Sequence, residues 1–142
     1  MFNPSLNDVR NFFFDIYAKS LLKQPLAELE KIAYKIILEH PEYHYILENR
    51  EKYIQFQWLP EIGEINPFLH LSMHLSIIEQ LSINQPTGII DLYDKLLIKS
   101  KPHHAQHELM DCLGEMLWQA ERNKTLPDIN LYLTCIKKKL EK

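Results

Sequence analysis

Glycine and cysteine are scarce in this chain, which has 3 glycines and 2 cysteines among 142 residues. It contains no Gly-rich nucleotide motif, Walker loop or Gly-x-Ser-x-Gly elbow, which argues against nucleotide binding and serine-hydrolase chemistry. Neither cysteine belongs to a Cys-x-x-Cys pair, and a chain of this length can form a core without disulfides. We therefore expect Cys112 and Cys135 to be reduced, unreactive core thiols in a cytoplasmic protein.

Long apolar runs and strong net charge are also lacking. The net charge is −3, and the one basic run, Lys137 to Lys139, falls near the end of a predicted helix, where lysines suit the helix dipole. No segment approaches the length of a membrane span, and the first residues lack the cationic start and apolar run of a signal peptide. The sequence predicts a cytoplasmic protein that binds neither nucleic acid nor membrane. A protein partner and a homodimer both stay open.

The 8 prolines punctuate helical patterns instead of interrupting them. We predict an all-α fold in a single domain over residues 1–142, a bundle of about six or seven helices around a central buried helix at 66–84. The predicted helices cover residues 5–22, 25–40, 66–84, 88–99, 103–123 and 127–140. Ser5 and Asp8 fit a capping box at the first start. Pro41 leaves two alternatives, a new short helix with His40 as its cap residue or a kink in one longer helix.

The central stretch from Asn66 to Gln80 alternates apolar and polar residues as a strand would. Its Asn-Pro start, its length and its leucines favour a helix. On a helix, His70 and His74 lie about 40° apart on the apolar stripe, close enough to bind one metal ion. On a strand the two rings would be about 13 Å apart. The site hypothesis therefore depends on the helix prediction.

The His-x-x-x-His spacing occurs three times, at 40/44, 70/74 and 103/107. Helical bundles build metal sites from inward histidines and carboxylates on facing helices, and this ligand set suits iron, manganese or zinc. The candidate ligands are His70, His74, His103, His107, Asp111, Glu115, His40 and His44. The last two could instead complete a second ion or support the first. In the competing interpretation the histidines are core hydrogen-bonding residues without a metal, while His104 and Glu108 belong to a solvated helix face.

An aromatic segment lies in the longest predicted irregular stretch, residues 48–65. Its rings, Tyr53, Phe56 and Trp58, are expected to pack onto the bundle. The alternative function uses them differently, as anchors of a non-enzymatic interaction or adaptor protein at residues 53–58, with Trp118 as a further anchor. The sequence does not decide whether the protein is an enzyme.

Three motifs resemble those of an uncharacterised family of unknown function found mainly in proteobacteria. They are His-Pro-Glu-Tyr-His at 40–44, Asn-Pro-Phe-Leu-His-Leu-Ser-Met-His at 66–74 and Cys-Leu-Gly-Glu-Met-Leu-Trp at 112–118. The resemblance covers essentially the whole chain, although the family pattern would have Glu at Asp111. It implies a small, single-domain, helical, cytoplasmic protein. It brings no established activity, so the site hypothesis rests on the chemistry of the residues.

Overall fold

The computed structural model describes residues 6–58 and 66–141, and the regular secondary structure of these residues is entirely helical. The α-helices are α1 (Leu6–Leu21), α2 (Glu28–Leu38), α3 (His44–Leu47), α4 (Arg50–Tyr53), α5 (Pro67–Ile83), α6 (Ile89–Lys99), α7 (Pro102–Asn123) and α8 (Ile129–Leu140). A 3₁₀ turn at Pro41–Tyr43 separates α2 from α3. The all-α prediction is confirmed. Across the described residues, no helix is both long enough and apolar enough to cross a membrane.

By their internal contacts the residues group into two compact units, Met1–Leu75 (unit 1) and Ser76–Lys142 (unit 2). The boundary falls within α5, so the predicted central helix supplies residues to both units. The prediction of a single domain over residues 1–142 stays a prediction.

The start of α5 follows from two residues. The Asn66 side-chain oxygen accepts hydrogen bonds from the backbone N–H groups of Phe68 (2.9 Å) and Leu69 (3.4 Å), and Pro67 is the first helical residue. A side chain that satisfies the free N–H groups of the first turn is the usual start of a helix. The helix prediction for 66–84 is therefore confirmed, and the strand alternative is wrong.

Two other predicted starts shift along the chain. Helix α2 begins at Glu28 and not at Pro25, because the Glu30 carboxylate accepts the Ala27 N–H (2.9 Å) and caps the helix there. Helix α8 begins after Asp128, whose carboxylate accepts the N–H of Asn130 (3.0 Å). The capping box predicted from Ser5 falls on a residue outside the described ranges.

The alternative at Pro41 is resolved in favour of a new short helix. Helix α2 ends at Leu38, and His40 is the residue that caps the 3₁₀ turn. A proline disfavours helical backbone in the residue before it, and His40 has φ −128° and ψ 63°. The stretch after Glu48 was predicted to be irregular. It contains the short helix α4 instead, and Arg10 binds the backbone at the end of this helix.

Arg10 of α1 organises the aromatic segment of unit 1. Its Nη1 donates to the carbonyl oxygens of Tyr53 and Ile54, each at 2.9 Å, and so binds the backbone where α4 ends. Its guanidinium lies over the rings of Trp58 (5.1 Å) and Phe68 (5.2 Å). Burial lowers the pKa of Arg10. The prediction that the aromatic segment packs onto the helices is confirmed within unit 1.

Unit 2 has its core between α6, α7 and α8. Tyr132 is fully buried, and its hydroxyl donates to the side-chain oxygen of Gln80 (2.7 Å). Burial raises the pKa of Tyr132. Helices α7 and α8 are also joined covalently, because Cys112 and Cys135 form a disulfide.

The disulfide overturns the expectation of two reduced thiols. The two cysteines lie 23 residues apart on different helices, and the packing of α7 on α8 places their Cα atoms 5.6 Å apart, a separation that a disulfide spans. Disulfides are rare in the reducing cytoplasm. The predicted cytoplasmic location has no support from these cysteines and stays a prediction.

Candidate metal centre

Three imidazole rings converge within unit 1. The ring centroids of His40 and His70 lie 4.9 Å apart, those of His40 and His74 4.7 Å, and those of His70 and His74 4.9 Å. Each residue offers one ring nitrogen, and these nitrogens lie within 4.8 Å of one another. The cluster of His40, His70 and His74 could therefore hold a metal ion, and we refer to it as the histidine cluster.

Two separate segments of the chain bring the histidine cluster together. His70 and His74 come from successive turns of α5, where residues four apart share a face. His40 comes from the cap position after α2, and its carbonyl accepts the Tyr43 N–H (3.0 Å) across the 3₁₀ turn. The turn that begins at Pro41 thus fixes the position from which the His40 side chain reaches the cluster.

Burial distinguishes the three rings. His40 is 1% exposed and His74 is 0% exposed, whereas His70 is half-buried. Buried polar side chains in native proteins have hydrogen-bond or metal partners. The cluster is therefore an interior polar site with one ring that solvent reaches.

The proton on His40 can be placed from its partner. Nδ1 of His40 lies 2.8 Å from the carbonyl oxygen of Ile36, and a carbonyl only accepts hydrogen bonds. In neutral His40 the proton is therefore on Nδ1, and Nε2 carries a lone pair. Metal-binding histidines usually make this bond, since it fixes the tautomer and the ring orientation.

The lone pair of His40 faces His70. The two Nε2 atoms are 3.1 Å apart. In the metal-free protein this is a hydrogen bond in which His70 Nε2–H donates to His40. Two nitrogens that bind one ion at about 2.0–2.1 Å would be about 3.3 Å apart at a tetrahedral angle and about 2.9 Å apart at a right angle. The observed distance falls between these values, so the pair fits a shared ion with little movement.

Tyr43 packs against the histidine cluster. Its ring is parallel to that of His40 (3°, centroids 5.6 Å apart) and nearly perpendicular to that of His70 (72°, 5.8 Å). Burial raises the pKa of Tyr43, and neighbouring Glu42 adds to the effect. The spacing patterns do not single out Tyr43. The signal that could have found it is its place three residues after His40 in the His-Pro-Glu-Tyr-His motif.

His44 is directed elsewhere in unit 1. Its Nε2 donates to the carbonyl oxygen of Ile37 (2.9 Å), and its ring packs 5.6 Å from that of Tyr17. The four-residue spacing of His40 and His44 does not produce a pair, because the break at Pro41 puts them on different elements. A supporting role for His44, predicted as one alternative, stays a prediction.

The remaining candidates lie on α7 in unit 2. The His103 and His107 rings are 4.4 Å apart and half-buried. Asp111 is exposed and pairs with Lys139 (3.2 Å), and exposed Glu115 accepts a hydrogen bond from Gln119 (3.0 Å). Their metal-binding role stays a prediction.

The residues assigned to the solvated face of α7 form an ion-pair network. Glu108 contacts His104 (3.1 Å) and Lys139 (2.7 Å). Burial opposes the charge on Lys139, but its hydrogen bonds to Glu108 and Asp111 outweigh this effect and raise its pKa.

Fold and site together define a small helical protein with an interior histidine cluster. The chain belongs to the DUF1841 family, described as a domain of unknown function, which matches residues 5–138. This assignment confirms the resemblance to a family without an established activity, while the proteobacterial origin stays a prediction. No curated protein and no solved structure matches the chain.

Proposed function

We propose that the protein binds one transition-metal ion through ring nitrogens of His40, His70 and His74. The observation that carries the proposal is the convergence of three imidazoles, with the His40 lone pair fixed toward His70 by the Ile36 carbonyl. A core that needed only shape would use apolar side chains, because each buried imidazole requires partners for its polar atoms. Three such rings in contact are better explained by a common ligand.

The types of ligand atom at the site narrow the choice of metal ion. Among the described residues of unit 1, no carboxylate joins the histidine cluster. Imidazole suits zinc, iron, copper and nickel, whereas manganese and magnesium prefer oxygen ligands. Of the three metals that the sequence suggests, zinc and iron therefore fit this site better than manganese. Iron would imply redox or sensing chemistry, and zinc a structural or Lewis-acid role.

The adaptor alternative has less support. Trp58 and Tyr53 stack on each other (6.0 Å) and Trp58 also contacts Phe68 (5.8 Å), so these rings belong to the packing of unit 1. Trp118 of unit 2 is 51% exposed, with Arg122 over its ring (5.1 Å). A protein partner stays a prediction.

The test is elemental analysis of the untagged protein, purified without chelators and with protein concentration determined independently. The wild type should carry about one ion per chain, since one cluster supplies the ligands. His40→Gln and His74→Gln should lose the ion. His44→Gln is the matched control, because His44 lies in the same motif but bonds to the Ile37 carbonyl. Circular dichroism establishes that each variant is folded.

A wild type that holds no stoichiometric ion, even after anaerobic reconstitution, would contradict the proposal. The histidines would then be core hydrogen-bonding residues. The same analysis of His107→Ala and Asp111→Ala tests whether α7 contributes ligands, as the sequence predicts. A loss of metal in either variant would extend the ligand set, and full retention in both would remove these two residues from it.

A further inference from the structure

We propose that a cleft in unit 1, between α1 and residues 47–50, binds a small organic cation that carries its ammonium group on an apolar body. The histidines of the proposed metal site do not line this cleft. The inference therefore goes beyond the metal site and does not depend on it.

The floor of the cleft is apolar. Phe14 of α1 and Leu47 of α3 line it and are 2% and 5% exposed, and Ala18 and Leu21 of α1 add to the apolar wall. The cleft encloses about 270 Å³, the volume of about nine water molecules in the liquid. A ligand that replaces this water with an apolar group gains the free energy of burying that group. The space suits an aromatic ring or a short branched chain.

The rim of the cleft carries an exposed carboxylate, that of Glu48 at the end of α3. Glu48 Oε1 accepts a hydrogen bond from the Tyr17 hydroxyl (2.9 Å). Burial raises the pKa of Tyr17 and this carboxylate adds to the effect, so the hydroxyl stays neutral. Within the described ranges, no Lys, Arg or His side chain forms an ion pair with Glu48. Its negative charge is therefore available to a ligand.

The cation at the rim is already paired. Arg50 Nη1 lies 2.9 Å from Asp15 Oδ1, and Arg50 Nη2 donates to the side-chain oxygen of Asn11. The guanidinium also lies over the Phe14 ring (5.4 Å). These contacts hold Arg50 and balance its charge, so the rim presents negative charge through Glu48. Charge complementarity favours a ligand with an ammonium group over one with a carboxylate.

The cleft also gives a role to His44, which the histidine cluster does not use. The His44 ring packs against the Tyr17 ring, with their centroids 5.6 Å apart, and its bond to the Ile37 carbonyl fixes its position. His44 therefore supports the tyrosine that binds Glu48.

The experiment titrates benzylamine hydrochloride into the ¹⁵N-labelled full-length protein at neutral pH and follows the backbone amide signals by NMR. Benzyl alcohol and benzoate, titrated at the same ionic strength, are the neutral and anionic analogues with the same ring. We expect saturable shifts at the amides of residues 47–50, with a Kd on the order of 1 mM for benzylamine. The alcohol and benzoate should bind at least about tenfold more weakly, because neither carries a positive charge.

Three variants test the parts of the cleft, with circular dichroism to establish that each is folded. Glu48→Gln keeps an oxygen that can accept the Tyr17 hydroxyl but removes the charge, and it should weaken benzylamine binding about tenfold without changing that of benzyl alcohol. Glu51→Gln is the matched control, because it removes an exposed carboxylate of α4 that does not line the cleft. It should change the Kd by less than about twofold. Ala18→Leu, at an exposed position, should fill part of the cleft and weaken both ligands.

Several results would overturn the inference. An absence of saturable shifts at residues 47–50, well above the expected Kd, would show that the cleft does not bind this class of ligand. Equal affinity for benzylamine and benzyl alcohol, or unchanged benzylamine affinity in Glu48→Gln, would show that the charge is not recognised. Tighter binding of benzoate than of benzylamine would assign recognition to Arg50 and contradict the preference for a cation.

Discussion

The histidines of unit 1 and those of α7 share the same four-residue spacing and meet different surroundings. In unit 1, His70 and His74 lie beside a third imidazole from another segment, and two of the three rings are fully enclosed. On α7, the His103 and His107 rings are 4.4 Å apart and half-buried, and the neighbouring His104, which is not part of that spacing, is 64% exposed and pairs with Glu108. The interior position and the arrival of His40 distinguish the two regions.

The two regions also differ in the partners of their polar side chains. In unit 2, Glu108 and Asp111 are engaged by Lys139, at 2.7 and 3.2 Å. In unit 1, the His40 ring has a backbone carbonyl on one nitrogen and the His70 nitrogen near the other. A polar helix face in water forms ion pairs, whereas the rings of the histidine cluster contact a backbone carbonyl and one another.

The largest expected difference between the regions is in metal affinity. His74→Ala should weaken metal binding by at least about 100-fold, the upper end of what is lost when only a supporting residue is removed. His104→Ala should leave the affinity within a factor of about two, because His104 belongs to an exposed pair. Competition with a chelator of known affinity measures both. An equal loss of metal affinity in the two variants would contradict the proposed difference between the regions.

A second prediction concerns the disulfide of unit 2. Reduction, or the double substitution Cys112→Ala with Cys135→Ala, should lower the free energy of unfolding by about 3 kcal/mol, because the bond closes a loop of intermediate length. For a domain of this size this corresponds to a fall in Tm of roughly 10 °C. Thermal melts with and without reductant measure the difference. An unchanged Tm, with reduction verified by thiol labelling, would show that the bond does not hold α7 and α8.

The third prediction concerns Tyr43, which packs against the histidine cluster in unit 1. Tyr43→Leu removes the ring that lies parallel to His40 and should weaken metal binding about tenfold, as expected for a residue that orients a ligand. Tyr43→Phe keeps the ring and should retain most of the affinity. The Co(II) spectrum of the leucine variant should change as well, which a loss of general stability would not produce. If phenylalanine costs as much as leucine, the hydroxyl and not the ring is what matters.

The smallest expected effect is that of the α7 ion pairs. Since the pKa of Lys139 is raised in the folded protein, its pairs stabilise the fold below the ordinary lysine pKa, and this contribution is lost as the pH rises through the raised value. Lys139→Met should cost about 0.5 to 1 kcal/mol at neutral pH and flatten the decline of stability at alkaline pH. Denaturant unfolding of both proteins at neutral and alkaline pH measures the difference. A variant that is as pH-sensitive as the wild type would assign the decline to another group.

The local patterns account for the helices and for two of the three residues of the histidine cluster. Asn66 and Pro67 mark the start of α5, and the spacing of His70 and His74 then follows from helical geometry. His40 was among the candidate ligands, but its position beside His70 could not be predicted, because the two residues are 30 residues apart and meet only through the packing of unit 1. The same limit applies to Cys112 and Cys135, whose bond depends on how α8 packs on α7.

His40 and His44 do not lie side by side, although they are four residues apart, and the reason is local. Pro41 ends the helical path between them, and each ring then finds a different backbone carbonyl, that of Ile36 for His40 and that of Ile37 for His44. Residues four apart share a face only on a continuous helix. A proline between them can end the helix, and the spacing then no longer places them together.

The most direct test of the metal centre is X-ray absorption at the metal edge of the loaded wild-type protein. The proposal predicts at least three nitrogen ligands at about 2.0–2.1 Å with the outer-shell scattering of imidazole, and the loss of the metal-edge signal itself in His74→Gln, which should not hold the ion. A first shell of oxygen atoms without imidazole scattering, or an unchanged spectrum in His74→Gln, would contradict it.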